Sequence, residues 1–503
     1  MTEKILLGKA NGEPIYLNTS MINRHGFIGG ATGSGKTVTL KLIAEGLSEL
    51  GVPVIIPDVK GDLFSLSKEG VMDENIEKRL RELVLDDFSF DSYPVEIFDV
   101  FAEMGIATRT TISEMGPVLI SRMLDLTEVQ EGIINIAFRI ADEEGLLLID
   151  IKDLRQILVY LSDNRKEISK TYGNISTQSI GAIQRRLLVL EEAGGDIFFG
   201  EKAFDLKDFL RKDKDSRGQI NIINSKELIE NPALYSTVLF WILTKINQSL
   251  PEIGDVDLPK LVFFFDEAHM LFDKANNQTI ELVQRLVKSI RSKGVGIFFV
   301  TQDPTDIPDS ILSQLGNKIQ HSLRAYTAKE QKSLKAIGDS FRIKEGQNIY
   351  EEIKNLQIGQ AIVSSLDEDA SPSYAKKTTI CPPKSFIGPV DDRFVMEVYE
   401  KSDLYNKYEE YFDRESAFEI LSARIKAQED EAMLQKQAKE EEKLLKEREK
   451  ELEKMQKQRQ KQVSSLTRSA RTFSNSILRS IGYRIGRDIY GMIKGEKKKK
   501  DQR

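Results

Sequence analysis

Residues 30–37 read Gly-Ala-Thr-Gly-Ser-Gly-Lys-Thr, between the apolar start of a strand (Phe27, Ile28) and an apolar run on helical spacing (Val38, Leu40, Leu42, Ile43). This satisfies GxxxxGK[ST] in the strand-to-helix setting that the pattern needs. Its chemistry is the holding of a nucleoside triphosphate. Gly30, Gly33 and Gly35, with Ala31, Thr32 and Ser34 between them, let the backbone wrap so that its N–H groups and the helix N-terminus face the β-phosphate. Lys36 is placed to neutralise the β- and γ-phosphates, and the Thr37 hydroxyl to bind Mg²⁺.

A second chemical group follows far along the chain, in LVFFFDEAH at 261–269. An apolar run ending in two carboxylates is what a buried central strand delivers to the edge of a phosphate-loop sheet. Asp266 then holds the Mg²⁺ hydration shell, while Glu267 orients and deprotonates an attacking water. A kinase has no use for such a water base, so the second carboxylate points to hydrolysis. The letters DEAH also occur in RNA helicases, but neither a Ser-Ala-Thr motif nor a QxxGRxGR motif follows, and His269 reads as a local helix or packing residue. The next strand, GIFFV, ends in Thr301-Gln302, and a polar amide there can sense the γ-phosphate or the lytic water. Before it, QRLVKSIRSKG carries Arg285, Lys288, Arg291 and Lys293, one of which is a candidate finger for a neighbouring subunit's site; the alternative is a solvated face.

These groups need strands ending at one sheet edge. HGFIGG, PVIIPD, GQINIINS (218–225), LVFFF and GVGIFFVT supply buried-strand patterns separated by helical stretches, which is the βαβ signature of an α/β core. NKIQHSL and GQAIVSSL are further strand candidates, and ILLG with NGEPIYL reads as a short opening hairpin. The expected organisation is a phosphate-loop core in two parts, 1–100 and 201–382, interrupted by an all-helical insertion at 101–200. A helical extension (383–425), a long charged helix (426–463) and a basic amphipathic tail (464–503) follow. The charged helix reads as solvated and single, with a coiled coil as the alternative, because the stripe Leu434, Ala438, Leu445, Leu452, Met455 is thin and broken by Glu441 and Arg448. In the tail, Phe473, Ile477, Ile481, Ile485, Ile489 and Ile493 recur at steps of four, and four lysines close the stripe at 497–500. Such a helix can lie on anionic lipid, grip a phosphate backbone or pack on a partner. Gly482, Gly486 and Gly491 each weaken it in isolation by about 1 kcal/mol, so the expectation is that binding orders it.

Composition narrows the setting. With 503 residues, 40% apolar and 30% charged, the chain can bury a large core, and no apolar run is long enough to span a bilayer. The N-terminus has no secretory pattern, and one cysteine, Cys381, fits a reducing compartment, so the expected location is cytoplasmic. The net charge of −7 hides an asymmetry: Ser464–Arg503 holds 11 Lys/Arg against 3 Asp/Glu.

GATGSGKT, DVKGDL, FFFDEAHMLF, IRSKGVGIFFVTQDPTDIP and QLGNKIQHSLRAYT together resemble the HerA/FtsK superfamily of P-loop ATPases, with the closest likeness to the bacterial YjgR-like, HerA C-terminal-domain proteins, over roughly residues 20–380. The resemblance implies a RecA-like sheet, ATP and Mg²⁺ as ligands, a homo-hexameric ring with sites at subunit interfaces, and translocation of double-stranded DNA. It implies Lys36 and Thr37 as the P-loop pair, Asp266 and Glu267 as the second motif, Gln302 as the sensor and Arg291 as the trans-acting arginine. Asp58, in DVKGDL, matches an acidic position bordering the nucleotide. The first twenty-odd residues are too few for the β-barrel with which HerA translocases dock a nuclease, and FtsK-type membrane helices and winged domain have no counterpart here. The competing function is a nucleotide-switched ATPase acting on a protein or membrane partner through the C-terminal helix and tail.

Overall fold

The structure is a computed structural model that describes residues 3–272 and 277–497. Two compact units result, residues 1–421 and 422–503.

The first unit is built on a twelve-stranded sheet among the described residues. Its strands are β1 (Lys4–Ala10), β2 (Glu13–Asn18), β3 (Gly26–Gly29), β4 (Val54–Asp58), β5 (Val95–Asp99), β6 (Ile106–Ala107), β7 (Ile220–Asn224), β8 (Leu261–Phe265), β9 (Val295–Thr301), β10 (Asn317–His321), β11 (Gln360–Ser364) and β12 (Lys376–Ile380). The order is β2-β1-β12-β11-β10-β3-β9-β8-β4-β7-β5-β6. From β10 to β6 every neighbour is parallel, and from β10 outward to β2 every neighbour is antiparallel.

Helical crossovers enforce the parallel part. Helix Lys36–Glu49 links β3 to β4, and helix Pro232–Ser249, capped by the Asn231 side chain on the Leu234 amide, lies between β7 and β8 in sequence. With both faces covered, β8 is buried along its whole length, so it is apolar at every position instead of alternating. Phe264 stacks on Phe298 of β9 at 5.5 Å between ring centroids, and Phe265 on Phe299 at 5.1 Å. These paired rings hold β8 beside β9 in register.

Between β6 and β7 the chain forms helices Ile112–Met123, Glu128–Glu144, Ile151–Asp163, Arg165–Tyr172 and Thr177–Leu190. Their starts are written locally: Thr127 with Gln130 and Asp150 with Asp153 form reciprocal caps. Helices Asp392–Glu400 and Asp403–Glu409 return to the first unit, where Tyr408 and Lys407 both bond the carboxylate of Asp208.

Three strands lie outside the sequence reading. β5 (VEIFD) carries Glu96 between apolar residues and ends in Asp99, and the Glu96 carboxylate faces Arg211 at 3.7 Å. β6 has two residues and falls inside the stretch expected to be wholly helical. β12 starts with two lysines, of which Lys376 pairs with Glu13 at 3.2 Å across the antiparallel edge.

A single helix, Ala417–Lys497, runs without a break through the positions 425 and 463 expected as boundaries. Gly482 and Gly486 are helical within it. Of the lysines at 497–500, only Lys497 belongs to the described residues. No helix among the described residues is long and apolar enough to cross a membrane.

The opening hairpin is part of the sheet because β1 pairs with β12, and at Gly8 the two backbones come so close that a Cβ would lie 2.0 Å from the Thr379 carbonyl oxygen. Gly8→Ala is therefore expected to cost about 1–3 kcal/mol through overpacking. Urea unfolding of the two proteins checks this, and an unmoved midpoint would show that the hairpin is held elsewhere.

Candidate functional site

The loop between β3 and helix Lys36–Glu49 is shaped by its glycines. Gly30, Gly33 and Gly35 have φ of 148°, 74° and 116°, values that L side chains resist. At Gly30 there is also no room, since a Cβ would lie 2.6 Å from Cβ of His321. The Ala31 amide donates to the Ser322 carbonyl at 2.9 Å, and the Ser34 carbonyl accepts from the Gly359 amide at 3.1 Å, so β10 and β11 hold the loop from below. Thr32 and Gly33 form the exposed tip, Ser34 is buried beneath it, and Thr37 is half-buried in the first helical turn. The Lys36 amine lies over the loop and donates to the carbonyls of Gly30 at 2.6 Å and Ala31 at 3.2 Å.

His321 is the support that the sequence reading did not single out. Gln360 O can only accept, so His321 Nδ1–H donates to it at 3.0 Å, and Nε2 accepts from the Thr39 hydroxyl at 2.8 Å. Both ring nitrogens of a neutral imidazole are thus used. Burial, with the charge of Lys36 adding to it, pushes its pKa down to about 4 against the help of backbone bonds.

The carboxylates stand at the end of β8. Glu267 is a non-glycine residue at φ 47°, a left-handed conformation that costs energy and turns its side chain off the strand line. The Ala268 amide fixes this turn by donating to Val300 O of β9 at 2.8 Å. Glu267 Oε1 accepts from Lys60 Nζ at 2.6 Å, and Oε2 accepts from Gln302 Nε2 at 3.4 Å, with His269 Nδ1 at 3.5 Å. Burial alone would raise the pKa of Glu267; the bond and charge of Lys60, then His269 and Lys36, outweigh it and hold the carboxyl below its usual range. Its neighbour Asp266 goes the other way. Burial first, then the charges of Glu267 and Asp58, push its pKa up to about 7.

Lys60 owes its position to Asp58. The two carboxylate oxygens of Asp58 are taken up by the backbone amides of Lys60 (3.1 Å), Gly61 (2.7 Å) and Leu63 (2.8 Å), which folds DVKGDL into a compact turn after β4. Asp58 itself is fully buried. A group so enclosed and so occupied orders the loop through its backbone amides. The side chain that this loop brings to Glu267 is that of Lys60, which the sequence reading did not single out.

The sheet brings most of the expected residues together. β9 lies between β3 and β8, so Gln302, one residue beyond β9, falls between the glycine loop and the carboxylates. Arg291 is not among them. It precedes the first residue of β9, so the seven-residue strand separates it from Gln302 by about 20 Å. There Arg291 and Arg24 share Asp255, at 3.7 and 3.9 Å, beside a cavity of about 600 Å³ lined also by His25, Gln284 and Lys288. Among the described residues no group of three or more His, Cys, Asp or Glu is arranged to hold a metal unaided.

Since the folded pKa of His321 lies below its unfolded value, its contribution to stability is complete above about pH 6.5 and is lost as the pH falls towards 4. The stability advantage of the native protein over His321→Asn is expected to shrink by on the order of 3 kcal/mol across that window, as read by denaturant unfolding at each pH. A constant difference would mean that His321 is not held neutral.

Relatives agree with this architecture. The chain is 25% identical over 370 residues to the DNA double-strand break repair helicase HerA of Sulfurisphaera tokodaii, covering 71% of this chain and 66% of that one. It is 25% identical over 369 residues to the HerA of Sulfolobus acidocaldarius, with the same coverage. The match thus spans just under two thirds of each relative's length. Among solved structures, the bacterial conjugative coupling protein TrwB superposes with a TM-score of 0.51 at 16% identity, covering 78% of this chain and 92% of that one. TrwB has also been solved with ADP and Mg²⁺ (TM-score 0.50). That likeness concerns the fold, a RecA-like P-loop sheet. Residues 3–500 match the helicase HerA-like C-terminal family, and the chain belongs to it.

Proposed function

We propose that this chain is an ATP-hydrolysing, ring-forming motor of the HerA type that moves along double-stranded DNA. The observation that supports it most is the arrangement around Glu267: one carboxylate, ionised by Lys60 and aligned by Gln302, beside a glycine loop that ends in Lys36-Thr37.

The loop fits a triphosphate. Its positive-φ glycines let the backbone from Gly30 to Thr37 wrap, and at Gly30 a Cβ would collide with His321 beneath the loop, so the wrap is tied to glycine there. Lys36 supplies the cation for the β- and γ-phosphates. Thr37 and Asp266 are the residues that would hold Mg²⁺, the phosphates completing the set, and the ion would neutralise charge on the transferring group. In the reaction a water oxygen attacks the γ-phosphorus, the bond to the ADP oxygen breaks, and Glu267 takes the water's proton. Gln302 orients that water and the Glu267 carboxylate together. Lys60 and, through the loop, Asp58 are positioning residues that keep Glu267 deprotonated and aimed.

Arg291 belongs to the proposed site of the next subunit. Its distance from Gln302 within one chain supports a role for it at a neighbouring subunit's γ-phosphate, which is the reason for proposing a ring. DNA as the track rests on the curated HerA relatives, which are described as break-repair helicases.

Glu267→Gln is expected to keep ATP binding and to lower turnover about a hundredfold or more, because a general base contributes roughly 10²–10⁴ in rate. Equal turnover would place the base elsewhere. For the track, steady-state hydrolysis is measured with and without long duplex DNA on the full chain and on a chain ending at Gln462. Stimulation that survives truncation supports a translocase, and no response in either protein contradicts the DNA reading.

A further inference from the structure

The C-terminal helix holds a feature that the motor reading does not use. From Lys454 to Arg487 there are nine basic residues and no acidic one, whereas the preceding stretch 426–453 alternates both signs. All of this lies in a continuous helix whose side chains, where described from residue 426 onward, are exposed. At 100° per residue, Leu466, Ala470, Phe473, Ile477 and Ile481 fall within an arc of about 80°, with Arg468, Arg471 and Arg479 on the other side. Phe473 is 71% exposed, Leu466 69% and Ile481 48%, so the stripe has no cover within its own unit.

We propose that residues 464–481 form a peripheral membrane anchor that lies flat on an anionic lipid surface, with the stripe from Leu466 to Ile481 in the acyl boundary and Arg468, Arg471 and Arg479 at the headgroups. Charge selects the occupant. Over Lys454–Arg487 a second copy in parallel would bring nine positive charges against nine with no carboxylate to answer them, and the seam would meet Ser480 and Arg484 where a heptad needs apolar residues. A nucleic-acid backbone would satisfy the arginines but would leave Phe473, Ile477 and Ile481 in water. An anionic bilayer surface satisfies both faces at once, by insertion of the apolar stripe at the acyl boundary and by attraction of the basic residues to the headgroups. The helix is too polar to span, and the surface-lying mode does not ask it to. The inference is independent of ATP hydrolysis.

The test is flotation of the full chain with vesicles of phosphatidylcholine alone and of phosphatidylcholine with about one third phosphatidylglycerol. Two triple variants go with it: Phe473→Ala, Ile477→Ala, Ile481→Ala, which keeps the charge, and Arg468→Gln, Arg471→Gln, Arg479→Gln, which keeps the stripe. The native chain should float only with the anionic vesicles, and each variant should bind them at least tenfold more weakly with an unchanged unfolding midpoint. Failure to bind anionic vesicles, or binding that the alanine variant leaves intact, overturns the anchor. So does an alanine variant that changes oligomeric mass or duplex retention while vesicle binding stays the same, since the stripe then serves a second copy or DNA.

Discussion

Burial of β8 between β4 and β9 is the constraint from which the proposed chemistry follows. Apolar side chains on both faces fix the strand's depth and register, so that its first two polar residues, Asp266 and Glu267, emerge at the carboxyl edge. The same packing sets β9 next to it and β3 beyond, and the glycine loop, Gln302 and the carboxylates then meet without any contact having to be made between distant loops alone. A slip of one residue would turn the strand's alternate faces over and separate them.

Adjacent carboxyls with opposite shifts are the electrostatic result. Asp266 is pushed up to about 7 because it is buried beside two like charges, while Glu267 is held low because Lys60 reaches it. Environment thus separates two chemically similar groups into a pair with different proton affinities, the arrangement that lets one fold assign distinct roles. The cost sits in the backbone of Glu267 at φ 47° and in the enclosed Asp58, whose burial outweighs its three amide bonds and raises its pKa.

Much of this was legible in order along the chain. GATGSGKT and LVFFFDE announce strand ends, because a glycine run after an apolar stretch and a carboxylate pair after another have few other uses. Lys60 and His321 were not, for a common reason: each acts through a contact with a residue more than 200 positions away, Lys60 with Glu267 and His321 with Thr39. Periodicity cannot show such pairing. β5, β6 and β12 escaped because Glu96, a length of two residues and two leading lysines mask them as loop, and what makes them strands is backbone pairing with β7, with β5, and with β1 and β11, of which β7 and β1 lie far off in sequence from the strands they pair. The long helix was legible in type but not in continuity, since its charge pattern changes where its backbone does not.

The claim at the centre is that one chain holds only part of a hydrolytic site and that Arg291, at the far edge of the sheet, completes the site of a neighbour. Mixing Lys36→Ala with Arg291→Ala subunits tests it most directly. Each variant alone should be inactive, and an equal mixture should recover turnover at about a quarter of the interfaces, where an intact loop faces an intact arginine. Full activity of Arg291→Ala alone, or a mixture as inactive as its parts, would contradict the account.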